Sequence, residues 1–247
     1  MKKPEKNNGN IVVSDKKLTI ISEAGPISTI IDGGSVNRPV YIDGTSAVTL
    51  KGFSLINGLA AIDSALLGGG GIMVSSSGTV LLEDLYIYNN ESSGDAGGIF
   101  ISENSVVTIN ACKVYQNEAV SNGGGLLINS DDVIINNTLI YNNTSQLDGG
   151  GLFVTGTIKL INSTIVGNTV PAGRYGAAME ISTGLESTLL LNNIFYNNYG
   201  HPDYSSDDGI YLSNGKIVAY NNYLCEENNS SILNLAMGSG NIYSNTN

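Results

Sequence analysis

The chain has 247 residues, of which 13% are charged, and it carries a formal net charge of −11. This length is enough for one large domain with a sizeable core. Basic residues after Lys51 are scattered, which excludes the clustered basic face of a nucleic-acid binder. Apart from His201, they are Lys113, Lys159, Arg174 and Lys216. No run approaches the ~20 apolar residues of a membrane span, so no transmembrane segment is predicted.

The first predicted element, residues 1–10, is a polar stretch without the apolar segment of a signal peptide. We expect it to be disordered or to cap the fold. We also expect an export signal to have been removed, which would place the protein outside the cell or at its surface.

Glycine blocks then recur along the chain, as in "GGGIMV" and "GGGLLI". The residues before the first apolar position of each block are spaced 27, 27, 26, 27 and 31 apart. They are Gly71, Gly98, Gly125, Gly151, Ala178 and Gly209. A fixed period of this size indicates a solenoid in which each repeat is one structural unit.

A second motif keeps the same period, as in "IYNN" from Ile87 and from Ile140. Apolar residues alternate over short runs between Gly, Ser, Asn and Asp, which is typical of strands rather than helices. About three strands and three turns per repeat of ~27 residues predict one turn of a parallel β-coil. We therefore predict an all-β fold of eight or nine such coils in a single domain, residues 1–247, with an irregular coil or cap at residues 223–247.

The glycine blocks and the "IYNN"-type motifs resemble the GGA(I/L/V) and FxxN repeats of chlamydial polymorphic outer-membrane proteins. More broadly, the pattern is similar to the right-handed parallel β-helix of the pectate-lyase-like superfamily. The likeness covers residues 40–222, and "LTIISEAGPISTIIDGG" from Leu18 resembles a first coil of that fold. The resemblance implies a right-handed β-helix, a fold that carries lyases, hydrolases, tailspikes and adhesins alike.

Stacked coils place equivalent side chains above one another, which predicts an asparagine ladder with hydrogen bonds along the stack. The predicted ladder consists of Asn90, Asn117, Asn143, Asn198 and Asn222. A second polar column is predicted from Asn89, Gln116, Asn142, Asn168, Asn197 and Asn221. The core-facing residues of these strands are predicted to be Leu55, Ile87, Val114, Ile140, Val166 and Phe195.

Period-two alternation points the neighbouring tyrosines outward, in a stripe interrupted at Gly167. The stripe comprises Tyr88, Tyr115, Tyr141, Tyr196 and Tyr220. The glycine strands are predicted to point Met73, Phe100, Leu127, Phe153 and Tyr211 outward. The turn between the two stripes carries an acidic edge with Glu91 and Glu118 in one register and Asp95, Asn122 and Asp148 in another.

An exposed tyrosine stripe beside acids has two interpretations. Tyrosine ring faces suit sugar rings, and the carboxylates could bind hydroxyls or hold Ca²⁺. Alternatively, tyrosine is simply favoured in sheets, where stacked copies pack on one another. We assign the candidate binding residues to Tyr88, Tyr115, Tyr141, Tyr196, Glu91, Asp95, Glu118 and Asp148.

The long turn at residues 199–209 contains the single histidine, His201, and three acids, Asp203, Asp207 and Asp208. The three acids are a candidate Ca²⁺ site, and paired carboxylates could act as acid and base in glycoside hydrolysis. A plain loop is the alternative, because Asp-Asp-Gly favours turns. The superfamily's lyases use a Lys or Arg base near Ca²⁺-binding acids, which makes Arg174 beside Asp148 a further candidate. The candidate catalytic residues are thus Asp207, Asp208, His201 and Arg174.

Cys112 and Cys225 lie about four coils apart, or ~19 Å, whereas a disulfide needs Cα atoms within ~7 Å. We predict no bridge between them.

These features together predict a monomeric, extracellular, non-catalytic binding or adhesion module for a glycan or a cell-surface protein. The alternative is a polysaccharide lyase or glycoside hydrolase, with Ca²⁺ as the one candidate cofactor. A third hypothesis is a passive spacer between other domains.

Overall fold

The computed structural model describes residues 6–7, 10–61, 68–200, 209–225, 236–237 and 242–244. The strands, in chain order, are β1 (Lys6–Asn7), β2 (Ile11–Ser14), β3 (Lys17–Ile21), β4 (Ile30–Asp32), β5 (Val40–Gly44), β6 (Ala47–Lys51), β7 (Ser54–Ile56), β8 (Leu59–Ala60), β9 (Ile72–Ser76), β10 (Thr79–Glu83), β11 (Tyr86–Tyr88), β12 (Glu91–Ser92), β13 (Ile99–Ile101), β14 (Val106–Asn110), β15 (Lys113–Tyr115), β16 (Glu118–Ala119), β17 (Leu126–Ile128), β18 (Asp132–Asn136), β19 (Leu139–Tyr141), β20 (Thr144–Ser145), β21 (Leu152–Val154), β22 (Ile158–Ile161), β23 (Thr164–Val166), β24 (Met179–Leu191), β25 (Ile194–Tyr196), β26 (Ile210–Tyr220), β27 (Tyr223–Cys225), β28 (Ala236–Met237) and β29 (Ile242–Ser244). No helix in the described part of the chain is long and apolar enough to cross a membrane.

The strands stack in parallel with their equivalents one coil away and form a right-handed β-helix, as predicted. One face is the ten-stranded sheet β1-β4-β7-β11-β15-β19-β23-β25-β27-β29. A second, 15-stranded sheet holds the glycine strands and the strands that follow them, joined through β24. A short sheet, β20-β16-β12-β8, closes the third side.

The described residues form about seven turns of ~27 residues, slightly fewer than the eight or nine predicted. Beyond residue 225, only two short strands are described, so the last predicted coil falls largely outside the described residues.

The core is a stack of apolar side chains from both large sheets, to which each coil of the ten-stranded sheet contributes. Ile87, Val114 and Ile140 are fully buried and pair in register. In the next coil the buried residue is Ile165, whereas Val166 lies on the outer face, in register with Tyr141. The prediction that Val166 faces the core is therefore wrong. Gly167, with φ 64°, occupies the turn position of the motif and not its outward tyrosine position.

The asparagine ladder forms at the turn that follows the ten-stranded sheet, and its members are Asn90, Asn117, Asn143, Asn168 and Asn198. Each residue before a ladder asparagine has positive φ, as at Asn89 (54°) and Asn142 (53°). Asparagine tolerates this left-handed conformation better than most residues. Asn168 therefore belongs to the ladder and not to the second column, which corrects the prediction.

Asn222 belongs to a different ladder at the opposite turn. Its Oδ1 accepts from Nδ2 of Asn193 at 3.0 Å, and Tyr220 pairs with Leu191 on the 15-stranded sheet. The motif at Ala219 is therefore equivalent to "LNN" of residues 191–193 and not to "FYNN" of residues 195–198. The sequence alone does not distinguish the two positions, because the motif is common to both turns. Tyr220 therefore does not lie in the tyrosine stripe, which corrects the prediction.

The recurring glycines mark places where successive coils approach too closely for a side chain. A Cβ on Gly98 would lie 2.5 Å from the carbonyl oxygen of Gly125, and a Cβ on Gly125 would lie 2.6 Å from that of Gly151. The glycine blocks therefore recur because the backbones of neighbouring coils meet at this turn.

Cys112 is a free, buried thiol. Through β19, β23 and β25, the strand that ends in Cys225 lies four strand steps from β15, which follows Cys112. Four strand steps agree with the spacing of about four coils from which we predicted no disulfide between Cys112 and Cys225.

Candidate functional site

Three tyrosines form a continuous ring stack on the outer face of the ten-stranded sheet. The ring centroids of Tyr88 and Tyr115 are 4.7 Å apart with an interplanar angle of 11°. Those of Tyr115 and Tyr141 are 4.6 Å apart at 10°. Because each ring face lies against the next, the stack presents ring edges and hydroxyl groups to solvent rather than open faces.

The stack lies within a wider outward surface, which we call the tyrosine face. It consists of Tyr86, Tyr88, Lys113, Tyr115, Leu139, Tyr141, Val166, Ile194 and Tyr196. Tyr196 is 48% exposed and Ile194 is 44% exposed, so the apolar surface continues past the stack. Solvent-facing apolar surfaces of this length mark interaction sites more often than scattered apolar residues do.

Lys113 is the one cation among these residues, and its ammonium lies 4.4 Å from the ring centroid of Tyr86. This cation–π contact holds the lysine against the sheet. Burial raises the pKa of Tyr115 to about 12, and the neighbouring tyrosines add to the rise. The pKa of Tyr141 is also raised, again mainly by burial. These phenols therefore stay neutral and act as hydrogen-bond donors and acceptors at physiological pH.

Glu91 and Glu118 pair in register on the short sheet beside the tyrosine face, and both are exposed. Gln146 donates from Nε2 to Oε1 of Glu118 at 3.2 Å. The predicted shared register of these two acids is present, and it places two carboxylates at the border of the tyrosine face.

Asp95, Asn122 and Asp148 also share a register, but their side chains bind the backbone of the following coil. The N–H of Asn122 donates to Oδ1 of Asp95 at 3.0 Å, and the N–H of Asp148 donates to Oδ1 of Asn122 at 3.2 Å. The series ends where the N–H of Tyr175 donates to Oδ1 of Asp148 at 2.8 Å. Burial raises the pKa of Asp95, whereas the hydrogen bonds from Asn122 oppose the rise. The side chains of Asp95, Asn122 and Asp148 therefore stabilise the turns of the next coil by accepting backbone N–H groups.

Glu180 is an acid that the sequence analysis missed. It pairs with Phe153 on one side and Tyr211 on the other, in the outward column of the glycine strands. The residue is only 6% exposed, and its Oε2 has no hydrogen-bond partner among the described residues. Burial, followed by the charge of Asp148, raises the pKa of Glu180 to about 8. Extending the predicted outward column from Phe153 by one more coil would have found this residue.

Arg174, the candidate base, lies in an exposed turn next to Tyr175. The hydrogen bond from the N–H of Tyr175 to Asp148 brings this turn next to Asp148. Within the described residues, no ion pair joins Arg174 to Asp148, and the described ion pair is Lys51 with Glu83 at 3.1 Å.

The remaining candidates, His201, Asp203, Asp207 and Asp208, lie outside the described residues. Among the residues that are described, no group of three or more His, Cys, Asp or Glu side chains could hold a metal ion. The Ca²⁺ hypothesis for the long turn therefore stays a prediction.

Residues 38–247 match the family model described as the right handed beta helix region. No curated protein and no solved structure matches the chain significantly.

Proposed function

The chain belongs to the right-handed β-helix family, and from that premise we propose that it is an extracellular, non-catalytic binding module that docks a neutral polysaccharide along the tyrosine face. The observation that carries this proposal is the stack of Tyr88, Tyr115 and Tyr141 at spacings of 4.7 and 4.6 Å. A polysaccharide has a regular repeat and can therefore contact the regularly spaced tyrosines at several of its units.

The chemistry of the face favours a polyhydroxylated chain. Three aligned phenol groups can each donate and accept one hydrogen bond. The apolar ring edges and the side chains of Val166 and Ile194 suit the C–H faces of sugars. Because the net charge is −11 and Lys113 is the one cation on the face, an anionic polymer would be repelled.

Polymers are favoured over single sugars because each contact on this flat surface is weak. The ring faces within the stack are occupied by neighbouring tyrosines, so a sugar can contact only edges and hydroxyls. Once one sugar of a chain is bound, the linked sugars are held near the surface at a high effective concentration. Several weak contacts along one chain therefore strengthen binding together. We therefore expect binding to strengthen with chain length.

The test is isothermal titration calorimetry with neutral and acidic oligosaccharides of increasing length. Replacement of Tyr88, Tyr115 and Tyr141 together by Ser should abolish binding, whereas replacement by Phe retains the stack and isolates the hydroxyl contribution. The control is Tyr220→Ser, since Tyr220 is 40% exposed on the other sheet. Unchanged binding in the triple Ser variant would contradict the proposal.

Polysaccharide cleavage is the second candidate function, and one observation favours it. The carboxyl group of Glu180, with its pKa raised to about 8, interacts with the Asp148 carboxylate. A buried carboxyl group with a raised pKa beside a second carboxylate supports acid–base chemistry. Release of reducing ends or unsaturated sugars from any polymer would favour this function over binding alone.

A further inference from the structure

The outward column of the glycine strands contains one acid among apolar and aromatic residues. Its members are Tyr41, Met73, Phe100, Leu127, Phe153, Glu180 and Tyr211. Neighbouring members stack one strand spacing apart, about 4.8 Å. The Glu180 carboxyl group is therefore bordered by aromatic residues in the coils on both sides.

The Glu180 carboxyl group lacks the partners that a buried acid normally has. Its side chain is 94% buried, being 6% exposed, and Oε2 accepts no hydrogen bond from any described residue. A buried polar atom without a partner costs free energy, and such atoms are rare in native structures. The nearest charge that acts on it is another carboxylate, that of Asp148. No described cation acts on the Glu180 carboxyl group, so its ionised form is not neutralised by a group of the protein.

The turn at residues 171–176 lies against the same part of the column. The ring of Tyr175 stacks on that of Tyr211, with centroids 4.2 Å apart and an interplanar angle of 17°. Gly173 and Gly176 have φ values of 76° and 63°, and a Cβ on Gly173 would meet nothing within 4 Å. Tyr175 is 38% exposed. A Cβ on Gly176, however, would lie 2.6 Å from the backbone nitrogen of Glu180. The turn is therefore packed against the column, and entry of a ligand beside Glu180 requires Tyr175 to move off Tyr211.

The surroundings select one class of ligand. Two carboxyl groups exclude an anion, and Ca²⁺ needs six to eight oxygen ligands, whereas no described cluster supplies even three acids. An organic ammonium ion matches both features, since carboxylates provide negative charge and the neighbouring rings of Phe153 and Tyr211 can make cation–π contacts. We propose that Glu180 and Asp148, beside the stacked rings of Tyr175 and Tyr211, bind the primary ammonium group of an amino sugar.

This site lies on the 15-stranded sheet and does not rest on the tyrosine face, which lies on the ten-stranded sheet. Variants of Tyr88, Tyr115 and Tyr141 should therefore leave ammonium binding unchanged. The two proposals can fail independently.

Binding should release a proton. Among the described residues, the charged group that acts on Glu180 is Asp148 before β21. The titratable neighbours are Tyr211 on β26, in register with Glu180, and Tyr175, whose ring stacks on that of Tyr211. With a pKa of about 8, the Glu180 carboxyl is mostly protonated at pH 7 in the free protein. An ammonium ion stabilises the carboxylate, and the displaced proton passes to the buffer.

Calorimetry with glucosamine at pH 7, in two buffers of different ionisation enthalpy, measures affinity and proton release together. We expect glucosamine to bind with release of nearly one proton, and N-acetylglucosamine, which lacks the charge, to bind at least tenfold more weakly. Methylammonium separates the contribution of the ammonium from that of the sugar ring. Binding of methylammonium as tight as that of glucosamine would overturn the assignment to an amino sugar.

Glu180→Gln keeps the shape of the side chain and removes its charge, and it should weaken glucosamine binding at least tenfold. Glu103→Gln makes the same substitution at an exposed residue outside both proposed sites and should leave binding unchanged. Equal affinity of wild type and Glu180→Gln, or no binding by the wild type, would overturn the proposal. Shortening of a polymeric amino sugar by the wild type but not by Glu180→Gln would also overturn it, in favour of Glu180 as a catalytic acid.

Discussion

Asn117 donates from Nδ2 to Oδ1 of Asn143 at 2.9 Å, and the same Nδ2 donates to the carbonyl of Ile87 at 3.0 Å. Its own Oδ1 accepts from both the N–H and the Nδ2 of Asn90. Both donor hydrogens of the amide and its oxygen are thus bonded inside the turn. The ladder is a fully satisfied buried polar network, the kind that specifies one arrangement of the chain.

Replacing Asn117 by Leu should lower the free energy of unfolding by about 2 kcal/mol or more. The change leaves the N–H and Nδ2 of Asn90 and the Oδ1 of Asn143 without one partner each, and a buried unsatisfied group costs about 1–3 kcal/mol. Urea denaturation measures the loss. Asn136→Leu, on a half-exposed strand position, is the control and should cost less than about 1 kcal/mol. Equal midpoints for the two variants would contradict the structural role of the ladder.

Ala111 offers a stabilising substitution. Its φ is 54°, in a column where Asp84 and Asn137 have φ values of 49° and 50°. Alanine in the left-handed region carries a cost that asparagine partly avoids. Because Ala111 is exposed, Ala111→Asn should raise the free energy of unfolding by about 0.5–1 kcal/mol. Ala111→Val should lower the thermal midpoint, since a β-branched residue fits this conformation poorly, and a rise in its midpoint would refute the argument.

The stability of the protein should fall as pH rises from about 4.5 to about 8. The folded-state pKa of Glu180 is raised from 4.5 to about 8, so the folded state holds a proton that the unfolded state has released in this window. Stability falls with pH wherever the folded state binds more protons. Glu180→Gln removes this term and should be more stable than wild type at pH 8 by about 1–3 kcal/mol.

Urea midpoints at pH 5 and pH 8 measure this difference. Asp148→Asn retains an acceptor for the N–H of Tyr175 and removes the charge that helps to raise the pKa of Glu180, so the fall should shift to lower pH. Parallel pH dependence in the wild type and Glu180→Gln would show that Glu180 is not the responsible group.

Cys112 should be unreactive in the folded protein. Burial raises the pKa of its thiol to about 12, and only the thiolate reacts with disulfide reagents. In a Cys225→Ser variant, which leaves Cys112 as the single thiol, an aromatic disulfide reagent at pH 8 should label it only after urea is added. Stoichiometric labelling without urea would contradict the buried position.

The amino-acid sequence by itself determined the fold class, because the period of ~27 residues, the glycine blocks and the strand alternation are local patterns that repeat. The same periodicity correctly placed Asn90, Asn117 and Asn143 in one column and Tyr88, Tyr115 and Tyr141 in another. It failed where two turns share one motif: "YNN" at residues 220–222 and "FYNN" at residues 195–198 are alike in sequence, and only strand pairing assigned them to different sheets.

Side-chain environment was decided by the tertiary structure alone. The sequence indicated that the tyrosines align, but the contact of one ring face with the next depends on the spacing of the stacked coils and on the near-parallel rings. It likewise gave no sign that Asp148 caps the turn at Tyr175, or that Glu180 is buried between Phe153 and Tyr211. The burial of a side chain and its hydrogen-bond partners depend on residues about 30 positions away in sequence. These residues come together only when successive coils stack.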